Sequence, residues 1–513
     1  MAKHLTHCLL VTGLVCASSA ADAPALVIDM AALNTSLDGL VRVYGSTGDG
    51  SKGVPVAAGS DVDGDGFEDY AFAALQASPL GRSGAGQVFL VFGNGAVEGT
   101  MDTAVAHERI LSILGDGTKE NTGSEIWMDD VTGDVTDDGI ADLVVGADQR
   151  GASHNGAVYV VRGGAHLATG QTFDLADFGT LGFGLAGHLA RIDPPASSSH
   201  YHFGATVQIG DVDGNQIGEV LIAATLNRSG ATLQADGGGG SHGSGGTPHG
   251  TLYIVWDEEF LGVWVDDYSF VVDAPGLDTT TIHGASENRS FGEEMLAGKD
   301  YNGDGTTDLF VADLVGTASG RSNAGLAYVL FDSVNLKDRV FTLPHIPAGV
   351  TMTTFLGPRA DALAGDTALD GDFNGDGITD IAFSSPHDSP MSRTSAGTVH
   401  VVFGQTAAWP AVVDLAAGEL PPPAALRVAE IYGALGTDGA DHGDTLAYSG
   451  SSADVDGDGC TDLVLNEMTG NGIGPGTIDV GNLIVIDGKH LGCPLFQDGF
   501  ESGDTSAWTR QQP

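Results

Sequence analysis

Six acidic segments of this chain have the residue types and spacing of an oxygen cage for a hard cation. They begin at Asp61, Asp134, Asp211, Asp300, Asp372 and Asp454, and the first one reads DVDGDGFEDYAFAA. Oxygen-bearing side chains at positions 1, 3 and 5, a glycine at position 6 and an acid at position 9 can surround Ca²⁺, which takes about six to eight oxygen ligands. The sequence therefore predicts four to six bound calcium ions.

We expect the ligands to come from the same positions in each copy. In every copy except the third they include the backbone carbonyl of position 7. The predicted ligands are Asp61, Asp63, Asp65, Phe67 and Asp69; Asp134, Thr136, Asp138, Ile140 and Asp142; Asp211, Asp213, Asn215 and Glu219; Asp300, Asn302, Asp304, Thr306 and Asp308; Asp372, Asn374, Asp376, Ile378 and Asp380; and Asp454, Asp456, Asp458, Cys460 and Asp462. The third copy departs furthest from the pattern, because Gln216 stands where glycine belongs and Glu219 where aspartate belongs.

Other interpretations of these loops are less consistent with their residues. Magnesium prefers a strict octahedron and retains its waters, and zinc prefers His or Cys ligands. An EF-hand needs a glutamate at position 12, where this chain has apolar residues such as Phe72 and Val145. Acidic turns that only cap strands, without binding a metal, remain the alternative.

The loops recur every 72 to 89 residues, and each leads into a short apolar run, which indicates a repeat architecture. The first unit contains four runs typical of strands, at 40–44, 54–58, 70–74 and 87–92. We expect units at about 26–95, 105–165, 172–260, 268–333, 340–405 and 412–490. Runs such as 158–162 and 252–256 are assigned as the fourth strand of their units. Units of four antiparallel strands predict an all-β fold of propeller blades.

The units resemble FG-GAP repeats, which build the β-propeller of integrin α subunits and of many exported bacterial proteins. Phe203-Gly204 and Phe291-Gly292 match the "FG" element, and Gly146-Ala147 matches part of the "GAP" element. The resemblance spans roughly residues 26 to 490. It implies calcium in the acidic loops on one rim of a propeller with six or seven blades. It also implies an extracellular binding or adhesion scaffold for a protein or glycan ligand.

The two ends of the sequence carry further signals. Residues 1–20 have the polar start, apolar stretch and small-residue site of an export signal, so we expect a secreted or cell-envelope protein. The propeller is assigned to 21–490, a glycine-rich insertion to 228–250 and a tail without assigned function to 491–513. Cys460 and Cys493 remain after export, which suggests a disulfide, with two buried thiols as the alternative. The segment at 25–33 resembles runs before later units, so it is a candidate to pair with the last blade.

Charge and motif content exclude several functions. The formal net charge of −48 disfavours nucleic acid as a partner. Past the first twenty residues, no apolar stretch of membrane-spanning length occurs. We expect no enzymatic activity, because the G-x-S-x-G match at 239–243 lies in the glycine-rich insertion and lacks the strand and helix that this motif requires. A polysaccharide lyase or hydrolase and a purely structural surface protein are the alternatives.

Overall fold

The structure is a computed structural model of the chain. It describes residues 40–45, 52–94, 98–103, 107–128, 133–151, 154–167, 170–180, 182–195, 202–225, 250–262, 264–265, 268–285, 290–439, 441–471 and 478–493. The export signal, the segment at 25–33, nearly all of the glycine-rich insertion and nearly all of the tail lie outside these residues.

Short strands make up nearly all of the regular structure in the described residues. In chain order they are β1 Leu40–Tyr44, β2 Lys52–Ser60, β3 Asp69–Ala74, β4 Gln87–Val91, β5 Glu98–Asp102, β6 Ile110–Leu114, β7 Thr122–Trp127, β8 Leu143–Ala147, β9 Val158–Val161, β10 Thr172–Asp174, β11 Leu189–Asp193, β12 Phe203–Gly210, β13 Glu219–Ala224, β14 Thr251–Val255, β15 Ser269–Val271, β16 Thr279–His283, β17 Phe291–Lys299, β18 Asp308–Asp313, β19 Leu326–Phe331, β20 Val340–Thr342, β21 Thr351–Leu356, β22 Ala368–Gly371, β23 Asp380–Ser385, β24 Thr398–Val402, β25 Val412–Asp414, β26 Val428–Tyr432, β27 Leu446–Ala453, β28 Asp462–Glu467 and β29 Asn482–Ile486.

The helices of the described residues are single 3-10 turns. They span Pro79–Gly81, Leu175–Asp177, Asp257–Glu259, Ser333–Leu336, Pro390–Ser392 and Gly488–His490. None of these turns has the length and apolar character needed to cross a bilayer.

The chain forms two compact units. The smaller one includes the described residues 40–44 and 98–101, and within it β1 pairs with β5 in a two-stranded sheet. The larger one comprises residues 45–95 and 102–513 and contains six further sheets. Leu40–Tyr44 was expected in the first four-stranded repeat, so its pairing with β5 corrects that assignment.

Each sheet of the larger unit is built around one acidic loop, and we number the sheets by their loops. The first strand runs into the loop, and the second and third follow it as antiparallel neighbours. The sheet orders are β2-β3-β4-β6-β10, β7-β8-β9-β11-β15, β12-β13-β14-β16-β20, β17-β18-β19-β21-β25, β22-β23-β24-β26 and β27-β28-β29. Six repeated sheets confirm the all-β, propeller-type fold, and among the described residues no seventh sheet is built around an acidic loop.

The order of strands within each sheet differs from the expectation. The runs assigned as fourth strands, such as β9 and β14, are the third strands. The fourth strand comes from the following segment, as when β6 pairs with β4 through Leu90 and Leu111. The first five sheets therefore each take a strand from residues that the sequence assigned to the next unit.

Four sheets gain a short fifth strand that runs parallel to the fourth. In the first sheet β10 pairs with β6, and in the fourth sheet β25 pairs with β21. In both sheets an arginine from the turn after the second strand forms an ion pair with an aspartate of the fifth strand. Arg82 binds Asp174 at 2.7 and 3.0 Å, and Arg321 binds Asp414 at 2.6 and 3.3 Å. These paired contacts between guanidinium and carboxylate attach a strand that is only three residues long.

The hydrophobic core lies between neighbouring sheets. Successive residues of a strand point to opposite faces, so a strand between two sheets must be apolar at nearly every position. In β13, Leu221 packs with residues of the fourth sheet, whereas Val220 and Ile222 pack with residues of the second. Five such clusters join the six sheets in chain order. This packing explains the continuous apolar runs that follow the acidic loops.

The "FG" glycine permits close contact between two sheets. Gly204 has a φ of +86°, in a β-bulge where the register with β13 shifts between Phe203 and Thr206. A Cβ at Gly146, in the preceding sheet, would lie 2.2 Å from the Gly204 carbonyl oxygen. A larger residue at either position would force these two sheets apart.

Candidate metal centres

The first acid of each loop holds the loop backbone in place. Asp61 accepts hydrogen bonds from the N–H groups of Gly64, Asp65 and Gly66 at 2.8, 3.0 and 2.8 Å. Asp372 and Asp454 make the same three contacts with distances between 2.7 and 3.0 Å. The backbone of the following five residues thus curves around one carboxylate, as in an Asx turn.

In five of the six loops the acid at position 9 links the loop to the end of the third strand. One oxygen of Asp69 accepts from the N–H of Val62 at 2.9 Å, and the other accepts from Gly93 at 2.7 Å. Asp142, Asp308, Asp380 and Asp462 repeat both contacts. These side chains are buried, and burial is the main reason that the pKa rises to about 6 at Asp69 and to about 7 at Asp142, Asp308 and Asp380. A cation near any of these carboxyl groups would stabilise the ionised form, which burial alone disfavours.

Carboxylates from different positions converge in three loops. Within each of the sets Asp61, Asp63 and Asp69; Asp211, Asp213 and Glu219; and Asp454, Asp456 and Asp462, oxygens lie within 4.8 Å of one another. The remaining loops have Thr136, Asn302 and Asn374 at position 3, which offer neutral oxygens there. Such sets of hard oxygen donors fit calcium, and the ligand assignments remain predictions.

The third loop keeps its shape despite its two departures from the pattern. Gln216 adopts a φ of +74°, the left-handed region that glycine occupies at this position in the other loops, and its N–H still binds Asp211 at 2.9 Å. A residue with a Cβ is strained in this region, so the surrounding contacts must compensate for Gln216.

The sixth loop is fixed by a disulfide. Cys460, at position 7 of the loop, is bonded to Cys493, the partner that the sequence suggested. The bridge closes a loop with a sequence separation of 33. A closure of that length contributes roughly 3.5 kcal/mol in the chain-entropy model. The Cys460 sulfur is therefore unavailable as a ligand, and its carbonyl oxygen remains the expected one.

A lysine also contacts the sixth loop. Lys489 Nζ lies 2.8 Å from Asp456 Oδ2, 2.8 Å from Asp458 Oδ2 and 3.2 Å from Asp487 Oδ2, and these three hydrogen bonds raise the pKa of Lys489. Its ammonium group is therefore directed at two predicted calcium ligands. A similar but single contact occurs in the second loop, where Arg162 Nε is 3.3 Å from Asp138 Oδ2.

We expect Lys489→Met to bind calcium several-fold more tightly at the sixth loop, because no ammonium then competes for Asp456 and Asp458. Calorimetric titration of calcium into the wild type and the variant measures this change. Lys489→Arg is the matched control, since it retains the competing positive charge and should show no gain. A Lys489→Met variant with unchanged affinity would contradict the competition.

Sequence reasoning missed several charged contacts outside the loops. It assigned no role to His202, which is buried and whose Nδ1 lies 3.1 Å from Asp148 Oδ2. It also gave no role to Arg82, Arg321 or Lys489. The partners of both arginines lie more than ninety positions away, a separation that no local pattern can reveal.

Two parts of the chain match a known family. The model of the FG-GAP repeat matches residues 128–161 and 365–402. The first match includes the second loop with β8 and β9, and the second includes the fifth loop with β22, β23 and β24. A comparison with curated proteins finds none that matches the chain. FG-GAP repeats indicate a β-propeller-like scaffold of the extracellular type, and two segments of this chain match that repeat.

Proposed function

We propose that the chain is a secreted or cell-envelope scaffold that binds a protein or glycan ligand and is held in shape by calcium in its acidic loops. The observation that carries this proposal is the repeated loop geometry. In each loop the position 1 carboxylate holds the backbone, and the position 9 acid at the start of the second strand adds a buried carboxylate. Side chains fixed in this way need little reorganisation to bind a divalent ion.

The same geometry favours a structural role for the metal over a catalytic one. The acids that would bind calcium also anchor the start of a strand and the end of another, so an ion there would reinforce the sheet. Loops on a rigid β scaffold are the usual place for ligand binding. The proposal therefore assigns recognition to the exposed loops, and it includes no enzymatic step.

A binding experiment tests this function. The mature protein would be applied to glycan and extracellular-matrix arrays in calcium and in chelator at equal ionic strength. We expect saturable binding in calcium that is lost in the chelator. Cleavage of an arrayed polysaccharide would favour an enzyme instead, and the absence of both binding and cleavage would favour a purely structural surface protein.

A further inference from the structure

The third loop has a buried carboxylate oxygen that lacks a hydrogen-bond donor. In the other five loops both oxygens of the position 9 acid accept backbone N–H groups. Glu219 keeps one of these contacts, from Val212 to Oε2 at 2.5 Å, but its Oε1 is buried without a partner. Glu219 is 0% exposed, so bulk solvent does not reach this oxygen. An unpaired buried carboxylate oxygen is costly and requires an explanation.

A second oxygen of this kind lies beside the same loop. Asp257 follows β14 and is only 3% exposed. Its Oδ2 accepts from the side-chain amide of Asn215, the position 5 residue, at 3.2 Å. Its Oδ1 is buried and accepts no N–H or hydroxyl donor, while burial and a contact with the neighbouring Glu258 carboxyl group raise the pKa of Asp257 to about 6. Asp257 therefore contacts the loop at the one position where the third copy has exchanged a carboxylate for an amide.

The residue equivalent to Asp257, just after the third strand, is a glycine in four of the other sheets. Gly93, Gly163, Gly404 and Gly488 occupy it, and a Cβ there would approach backbone carbonyl oxygens to between 2.1 and 2.9 Å. In the fourth sheet the residue is Asp332, which is half-buried and whose Oδ1 accepts from the Thr306 hydroxyl at 3.2 Å. Only the third sheet places a buried carboxylate with an unpartnered oxygen here, among the described residues.

The nearby lysine has another partner. Lys337 forms an ion pair with Glu258, and its ammonium lies 5.2 Å from the centre of the Trp256 ring. The oxygens of Asp211, Asp213 and Glu219 already lie within 4.8 Å of one another. Ionised carboxylates only accept hydrogen bonds, so a cation at this cluster would satisfy two buried oxygens that accept no N–H or hydroxyl donor.

We propose that Asp257 is a calcium ligand supplied from outside the third loop, where it replaces the carboxylate that Asn215 lacks. The site then has carboxylates from Asp211, Asp213, Glu219 and Asp257, as many as the complete first loop has. Glu219 Oε1 is free to bind the ion because it holds no backbone N–H. This inference rests on the proposed calcium-binding function, and it implies that the least regular copy is a full site.

Calcium stoichiometry of the full chain tests the proposal. Titration calorimetry and metal analysis would compare the wild type with Asp257→Asn, Glu219→Gln and the matched control Asp332→Asn. We expect Asp257→Asn to lose one bound calcium ion or to weaken one site by at least tenfold, and Glu219→Gln to do the same. The control should retain the wild-type number. Melting in chelator shows whether each variant is folded.

The outcomes separate this inference from the function on which it rests. A wild type that binds calcium, together with an Asp257→Asn variant that binds the same number with the same affinity, would overturn only the role of Asp257. In that case a proton, and not a metal, would satisfy the buried Asp257 oxygen. A wild type that binds no calcium would overturn both this inference and the calcium-dependent scaffold.

Discussion

Removal of calcium is expected to lower the melting temperature of the protein by on the order of 10 °C. A site held at ten times its dissociation constant stabilises the folded state by about 1.4 kcal/mol, so five or six sites together contribute about 7 to 8 kcal/mol. That sum is comparable with the whole net stability of a typical domain. Repulsion adds to the effect, because removing the ion leaves carboxylates of the first, third and sixth loops within 4.8 Å of one another.

Calorimetric melting in calcium and in chelator measures this change. Because the chain carries a formal net charge of −48, any cation stabilises it to some degree by screening. The two buffers must therefore have equal ionic strength, and magnesium at the same concentration is the control for divalent charge alone. We expect magnesium to restore little of the lost stability, because it requires a strict octahedron. Equal melting temperatures in calcium and in chelator would contradict the structural role of the ion.

The sequence predicted the parts of the fold that local patterns determine. Each loop fixes where the second strand begins, because the acid at position 9 either starts it or immediately precedes it, as at Asp69 and Asp142. The apolar runs that follow located two strands correctly, although the sequence assigned the later run as the fourth strand and it is the third. The loop residues that hold the backbone were found for the same reason, since their partners lie within five positions.

The missed features all depend on contacts that are distant in the sequence. The pairing of β6 with β4 and the three-residue strand β10 have no local signal that distinguishes them from connecting segments. Asp257 is 42 positions from Asn215, and Lys489 is 33 positions from Asp456. Charged residues are frequent in this chain, so only the tertiary structure identifies which of them meet.

The buried acid at position 9 should stabilise the sheet even without a metal. We expect Asp380→Ala to cost about 4 kcal/mol of unfolding free energy in chelator, because two buried N–H groups lose their acceptor and each such loss costs about 1 to 3 kcal/mol. These groups belong to Phe373, at 2.9 Å, and Gly404, at 2.8 Å. Denaturant unfolding in chelator measures the change.

Asp376→Ala is the matched control for this prediction, because Asp376 is a predicted ligand of the same ion but is exposed and accepts only the N–H of Ile378, at 3.0 Å. In chelator its loss should cost less than about 1 kcal/mol. In calcium both variants lose a ligand, so the difference between them should persist while both become less stable than the wild type. Equal costs in chelator would mean that Asp380 acts only through the metal. A large difference would mean that the protein has joined the loop to the third strand before any ion binds, so that calcium reinforces a connection that the backbone already makes.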